Sequence, residues 1–357
     1  MDKVTLHWVQ IPLHEPFRIS NGSVAVKDAI IVEAQEGALT GFGEPSPMAG
    51  AFYSAETPES SWVALATRLI PWVLAGKGQL PEEEPFARAG MDGALCDLAC
   101  RRSGRPLWDL LGSRPRPIPS GVAIGIFDTI EELLDRVTRW VRAGYRRVKI
   151  KIQPGWDVEP VGAVRARFPK VDLMVDANAA YSIADRAVFQ ELDRFGLMMY
   201  EQPLGRGALD EMAELQRAVR TPVCADESAE SIEALERIIA LGAARIINIK
   251  IQRVGGLDRA REMHDRAHAA GLDCWLGTMP ELGIASAQGL HLATLPGFTY
   301  PTDVEASERW YVDDLLDPPL TIDGEGFLHI PAGPGTGFAV DRPRLERYTI
   351  RKEIFVP

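Results

Sequence analysis

A chain of 357 residues, 46% hydrophobic and 25% charged, is long enough to bury a sizeable core and to hold one large barrel with a smaller domain, or two ordinary domains, and length alone does not choose between them. Its net charge of -11 and pI near 5.2 argue against nucleic-acid and anionic-membrane partners, which would demand a cationic face. The opening MDKVTLHWVQIPL has no basic stretch leading into a long apolar run, and no run of about eighteen apolar residues occurs. Neither export nor membrane spanning is therefore expected, and the cytoplasm is the default.

In chain order, VTLHWVQI, DAIIVEAQEG and LTGFGE alternate as strands do, and helical patterns follow at 57–75 and 84–103. Residues 1–115 therefore read as an α+β domain. From about 118 short β-branched runs are each followed by an amphipathic stretch that ends in glycine or a turn. The clearest helix is expected over 129–143. Asp128 and Glu131 are its expected capping box, Ile130, Leu133, Leu134, Val137 and Val141 its apolar stripe, and Gly144 its stop. Strand VKIKI comes next, then DLMVDA (172–177), LMMYEQ (197–202), PVCADE (222–227), RIINIKI (245–251) and DCWLGT (273–278). Helices such as SIEALERIIALG and DRAREMHDRAHAAG fill the gaps, giving a β-then-α repeat near 25 residues. A closed parallel barrel over 116–315 is the economical solution, with an open doubly wound sheet as the alternative. The Pro- and Gly-rich tail, 316–357, is expected to pack back on the first domain. Cys96 and Cys100 lie one helical turn apart, while Cys224 and Cys274 sit in apolar runs without CxxC spacing, so reduced buried thiols are expected.

The polar residues that close the barrel strands carry the chemistry: Lys149 and Lys151, then Asp176, Glu201, Asp226 and Lys250. Any one of them alone is more often a solvated strand end or a helix cap. From Lys151 onward they keep the barrel's own spacing, which surface charges have no reason to do. In such a fold, C-terminal strand ends share one mouth. Three carboxylates converging there would repel one another unless a divalent cation held them, and an all-oxygen donor set points to Mg²⁺ or Mn²⁺ rather than zinc. Lysines would then face each other across that metal.

The segments KIKIQPGWD, MVDANAAY, YEQPL, ADES, NIKIQRVGGL and GTMPELGIA, with HEPFRIS, GFGEPSP and PAGPGTGF, resemble the enolase superfamily, muconate-lactonizing (muconate cycloisomerase) subgroup, over nearly the whole chain. Within it, KIKIQPGWDVEP, the AFYSAE loop and DVEASERWY most resemble the o-succinylbenzoate synthases and N-succinylamino acid racemases. The resemblance implies an α+β capping domain over a modified TIM barrel, (β/α)7β. It casts Asp176, Glu201 and Asp226 as Mg²⁺ ligands and Lys151 and Lys250 as acid/base groups on opposite faces of the substrate. Lys149 would help hold a carboxylate and disfavour the charge on its neighbour, with Asn178 in support. Lysine at 250, rather than the Asp–His pair of the mandelate racemase subgroup, places the chain. Arg253 could support Lys250 from behind, and Glu281 could hydrogen-bond an enediolate if protonated. The substrate pocket is expected from Phe17, Arg18, Ser20, Met48, Phe52 and Tyr53 of the cap, and from Met279, Asp303 and Ser307 of the barrel. Ala123 stands where relatives often carry serine, Pro280 where they carry an aliphatic residue, and Asp303-Val304-Glu305 where dipeptide epimerases carry Asp-x-Asp.

The chemistry so implied is removal of a proton alpha to a carboxylate, leaving a dianionic enediolate stabilised by metal and cations; lysine or histidine bases of this superfamily are a known pattern. A free lysine, pKa ~10.4, is almost wholly protonated at neutral pH, and a nearby cation, a second amine and burial each disfavour its charge. Racemisation and dehydration share the enediolate and stay undivided at this point. A dipeptide epimerase or muconate cycloisomerase-type enzyme remains an alternative, as does a metal-free barrel lyase forming a Schiff base through Lys151 or Lys250. The expected partner is a small carboxylate substrate, and a homo-oligomer is expected. GPGTGF (333–338) imitates a phosphate loop without a following helix, and His264 and His268 lack the HExxH glutamate.

Overall fold

The computed structural model describes residues 1–19, 22–49 and 54–357, without the side chains of 17–19, 22 and 23. Two long strands, β1 (Lys3–Ile19) and β2 (Gly22–Glu36), pair antiparallel and β3 (Leu39–Gly43) extends them. Their alternation sends Val4, Leu6, Ile30 and Val32 into one core with Trp62, Leu65 and Ile70, against which α1 (Pro85–Ser103) also packs. Gly41 and Gly43 permit that contact: a Cβ on either would stand under 3 Å from the α1 backbone.

The second unit is a parallel sheet of β4 (Gly121–Ile124), β5 (Arg147–Lys151), β6 (Asp172–Asp176), β7 (Tyr200–Glu201), β8 (Val223–Ala225), β9 (Ile246–Ile249) and β10 (Asp273–Leu276), neighbours in space in chain order. Between β4 and β5 runs α2 (Ile130–Arg142). After β9 come the short α3 (Ile251–Val254) and α4 (Leu257–Ala269), and α5 (Gly283–Leu292) follows β10. The ring is closed by residues 298–303. Thr299 and Asp303 donate to Cys274 and Leu276 (3.2 and 3.0 Å), while Thr302 donates to Pro119 just before β4 (2.9 Å) and accepts from Gly121 of β4 (2.8 Å). With no reversal of strand order, the doubly wound alternative is ruled out in favour of the barrel.

Several sequence-level details change. The box that starts α2 is Thr129 with Glu132, not Asp128 with Glu131. Thr129 holds the extended cap backbone and exchanges hydrogen bonds with Glu132 (both 3.2 Å), one residue further along than expected. Strand 197–202 shortens to two residues, losing its apolar lead-in and Gln202, and strand 222–227 to three, its polar end Asp226-Glu227 turning into a loop. The tail does more than cover the cap. Gly326 accepts from Ser120 under the barrel (2.9 Å), and after α6 (Ser307–Trp310) and the intervening turns, β11 (Thr349–Phe355) pairs antiparallel with β1. All four cysteines are free. Among the described residues no helix is long and apolar enough to cross a membrane.

Candidate active site

Period-two alternation builds the site. Met174, Met199, Cys224 and Ile246 fill the barrel interior together with Trp275. Two residues beyond the first three of these come Asp176, Glu201 and Asp226, and Lys250 lies four beyond Ile246. On β5, Arg147, Lys149 and Lys151 share the same parity, and the first two lie over the Trp275 ring at 5.2 and 4.9 Å. Each chemical side chain therefore stands on an apolar plug, and all are buried, from 0% exposed at Glu201 to 8% at Lys151.

Lys151 Nζ reaches Asp176 Oδ2 (2.5 Å) and Asn178 Oδ1 (2.8 Å). Asn178 takes a positive φ of 42° and donates its own N–H to Asp176 Oδ1 (2.9 Å), so the turn after β6 is wrapped around that carboxylate. Across the mouth, Lys250 Nζ pairs with Asp226 Oδ2 (2.9 Å), whose other oxygen and backbone carbonyl accept from Arg253 (2.5 and 2.7 Å). Lys149 lies between, bonded to Asp303 and within 3.2 Å of Glu201 Oε2 and 3.7 Å of Asp176 Oδ2. Asn248 donates to Glu201 Oε1 (2.8 Å). The Lys149 contact is an ion pair without hydrogen-bond geometry, so Glu201 Oε2 is a buried oxygen lacking a hydrogen bond.

Electrostatics follow from that packing. Burial, with the Asp176 charge adding to it, pushes the Glu201 carboxyl up to about 8. Burial would raise Asp226 too, but Arg253 and Lys250 hold it well below the usual carboxylate range. Asp176 is lowered, its burial outweighed by Lys151 and Lys149. Burial opposes the charge on Lys149, yet Asp303, Glu201 and Asp176 together hold its pKa well above the ordinary lysine value. Lys149 is thus a fixed cation rather than a proton carrier.

The carboxylates of three adjacent strands are bridged by amines, and among the described residues no three acidic, His or Cys side chains form a ready-made metal cage. Their chemistry nonetheless suits a hard divalent cation. Three buried carboxylates raise one another's cost of ionisation, the donors are oxygen only, and Glu201 keeps an oxygen without a hydrogen bond.

A cavity of about 50 Å³ opens above this group, lined by Ala123, Lys149, Lys151, Asp176, Lys250 and Trp310 among others. Met48 belongs to it and also to a smaller apolar cavity of about 20 Å³ with Leu13, Val24, Val26 and Met279. Met279 therefore borders the apolar side space. Asp303 lines the reaction cavity, but its carboxylate is committed to Arg147 (2.7 Å) and Lys149. Ser307 donates to Asp314 and accepts from Leu320 (3.1 Å), which ties it to the tail. Glu281 is buried, pushed up to about 8 by burial and then by Glu44, and accepts from Met279 N–H (3.3 Å). Ser20, Phe52 and Tyr53 lie outside the described residues, as do the side chains of Phe17 and Arg18.

Sequence reasoning named Glu305 only as the end of the Asp303-Val304-Glu305 stretch and assigned no role to Arg309 or Trp310. Glu305 accepts from Ala123 N–H (2.7 Å) and pairs with Arg309 (3.3 Å), whose guanidinium covers Trp310 at 4.4 Å. The i,i+4 spacing of Glu305 and Arg309 was a usable signal. Glu44 was also missed: from the end of β3 it accepts from Leu282 and Ala285 N–H at the start of α5 (2.7 and 2.9 Å), joining cap to barrel.

Comparison with known proteins agrees with this architecture. Residues 1–112 match the mandelate racemase/muconate lactonizing enzyme N-terminal domain, and residues 132–344 match the enolase C-terminal domain-like family. The chain is 39% identical to an o-succinylbenzoate synthase of Geobacillus kaustophilus, covering 99% of this chain and 97% of that one. It is 41% identical to an N-succinylamino acid racemase of an Amycolatopsis species, covering 98% and 97%. A crystal structure of an enolase superfamily member from Listeria innocua superposes with a TM-score of 0.93 at 33% identity, covering 99% and 98%. The chain is an enzyme and belongs to the enolase superfamily.

Proposed function

We propose that this enzyme removes the proton alpha to a substrate carboxylate with the help of Mg²⁺, acting as an N-succinylamino acid racemase, an o-succinylbenzoate synthase, or both. The observation that carries the reading is the placement of Lys151 and Lys250 on the two flanks of Asp176, Glu201 and Asp226. Similarity to relatives named for those two activities, over nearly the full chain, supports it.

Asp176, Glu201 and Asp226 would hold the cation, with Asn248 steering Glu201 and Arg253 steering Asp226. A divalent cation there supplies Lewis-acid neutralisation of the charge that grows on the substrate carboxylate. The chain's own residues do the rest. The lysine facing the α-proton takes it as an amine. Lys149, locked by Asp303, Glu201 and Asp176, adds a permanent positive charge beside the enediolate. In racemisation the opposite lysine, as an ammonium, returns a proton to the other face. In dehydration the lysine that took the α-proton, now an ammonium, gives a proton to the departing hydroxyl, which leaves as water. Met48, Pro280 and Trp310 narrow the mouth and limit water access.

Dipeptide epimerisation has less support, since Asp303 and Glu305 are both engaged by arginine or lysine and neither is spare for an ammonium group. The test is ¹H NMR in D₂O with Mg²⁺ and a panel of N-succinyl amino acids, dipeptides and the hydroxy-acid precursor of o-succinylbenzoate. Loss of the α-proton signal that EDTA abolishes is expected. Turnover that survives EDTA and is trapped by borohydride would instead establish a Schiff-base lyase.

A further inference from the structure

The two lysines differ in what places them. Lys151 is held by Asp176 and Asn178, both barrel residues, and the chain after it folds into a turn in which Gln153 and Trp156 bond each other (3.1 and 2.8 Å). Lys250 Nζ is likewise held by a barrel residue, Asp226 (2.9 Å), but its backbone leads directly into α3, and that short helix is gripped by the capping domain. Gln252, 2% exposed, donates through Nε2 to the Glu44 carbonyl (2.7 Å) and accepts from Ser46 N–H through Oε1 (3.1 Å). Arg88 of α1 donates to the Gly255 carbonyl and makes a bidentate pair with Asp258 (3.0 and 2.9 Å). Asp92, one turn on, accepts from Leu257 N–H (2.7 Å) at the start of α4. Glycine is needed at 256, where φ is 137° and a Cβ would come within 2.6 Å of the Asp92 carboxylate.

Helix α3 is only four residues long and has few hydrogen bonds of its own, so its position depends on these external partners. Gln252 is the link nearest the lysine, and its reciprocal pair reaches the stretch of cap that runs from Glu44 through Ser46 to Met48 at the reaction cavity. We infer that Gln252 is a positioning residue that couples the seating of the cap to Lys250 while leaving Lys151 to the barrel alone. The inference rests on the racemase reading above. It makes the two faces of the substrate unequal: cap placement controls proton transfer on the Lys250 face.

The test uses the Mg²⁺-loaded enzyme in D₂O with each enantiomer of an N-succinyl amino acid, following α-proton loss by ¹H NMR and inversion by polarimetry. Lys250→Ala first identifies which enantiomer still exchanges, and so which one Lys151 serves. Gln252→Met keeps the side-chain length and removes both hydrogen bonds. Inversion is expected to fall about tenfold, as two lost buried hydrogen bonds and a displaced base would produce. Exchange of the Lys250-face enantiomer should fall with it, while exchange of the Lys151-face enantiomer stays within about twofold of wild type. Gln252→Glu keeps the acceptor for Ser46 and should recover part of the loss; it carries the same test if the methionine variant does not fold. Equal loss on both faces, or no loss on either, overturns the inference. A wild-type enzyme that exchanges no α-proton overturns the functional reading itself, and this inference with it.

Discussion

The barrel mouth and the seam between cap and barrel achieve precision by different means. At the mouth, parity along five parallel strands aims lysines and carboxylates at one another, and the strand ladder fixes their spacing. At the seam, Glu44, Arg88, Asp92 and Gln252 act through a handful of side-chain hydrogen bonds at helix ends and turns. The difference separates charge from placement: the mouth gathers the buried lysines and carboxylates, and the seam ties the cap and α3 against them.

Four perturbations would sharpen or break that division. The largest effect belongs to the mouth. Lys151→Ala or Lys250→Ala should lower α-proton exchange of the enantiomer that the lost lysine serves by about 10²–10⁴-fold, the range for a lost acid/base group. Retention of exchange on both faces in either variant would contradict a two-lysine site. Next, Asn248→Ala removes the donor to Glu201 Oε1 and should weaken Mg²⁺ or Mn²⁺ binding about 10–100-fold by calorimetry, with the fold intact.

A pH series separates the seam from the outer cap. Glu281 is pushed up to about 8, far above its unfolded value, chiefly by burial. The folded state therefore binds its proton more tightly, and that contribution to stability, complete at acid pH, is lost as pH rises from about 4.5 to about 8. Glu33, which burial would raise, is lowered to about 2 by His7 and Arg342. Its contribution has the opposite sign: present above about 4.5, lost as pH falls toward about 2. Chemical denaturation should show Glu281→Gln reducing the alkaline-side slope and Glu33→Gln reducing the acid-side slope, and exchanged effects would refute the assignment. The smallest effect is expected at α2, away from both regions, where Thr129→Ala removes the capping box for about 1 kcal/mol of stability and no change in turnover.

Much of the mouth was legible in the sequence because one regularity, charge at the end of each strand, repeats with the fold's own period. Asp176, Glu201, Asp226 and the lysines announce themselves in that way, and the same repeat made a closed barrel the preferred of two arrangements. The seam has no period. Nothing beside Gln252 in the chain tells that Glu44 and Ser46, two hundred residues earlier, bond to it. The engagement of Asp303 by Arg147 and of Ser307 by Asp314 was equally hidden, since each depends on tertiary docking rather than on a local pattern. The capping box moved by one residue because Thr129 and Asp128 are both good caps, and backbone geometry chose between them.

Diffraction from Mn²⁺-soaked crystals, with the anomalous signal locating the ion, tests the central claim most directly. The expected result is one cation with carboxylate oxygens of Asp176, Glu201 and Asp226 at about 2.1 Å, with Lys151 and Lys250 on opposite sides of it. A cation bound elsewhere, or both amines on the same side of the ion, would contradict the account.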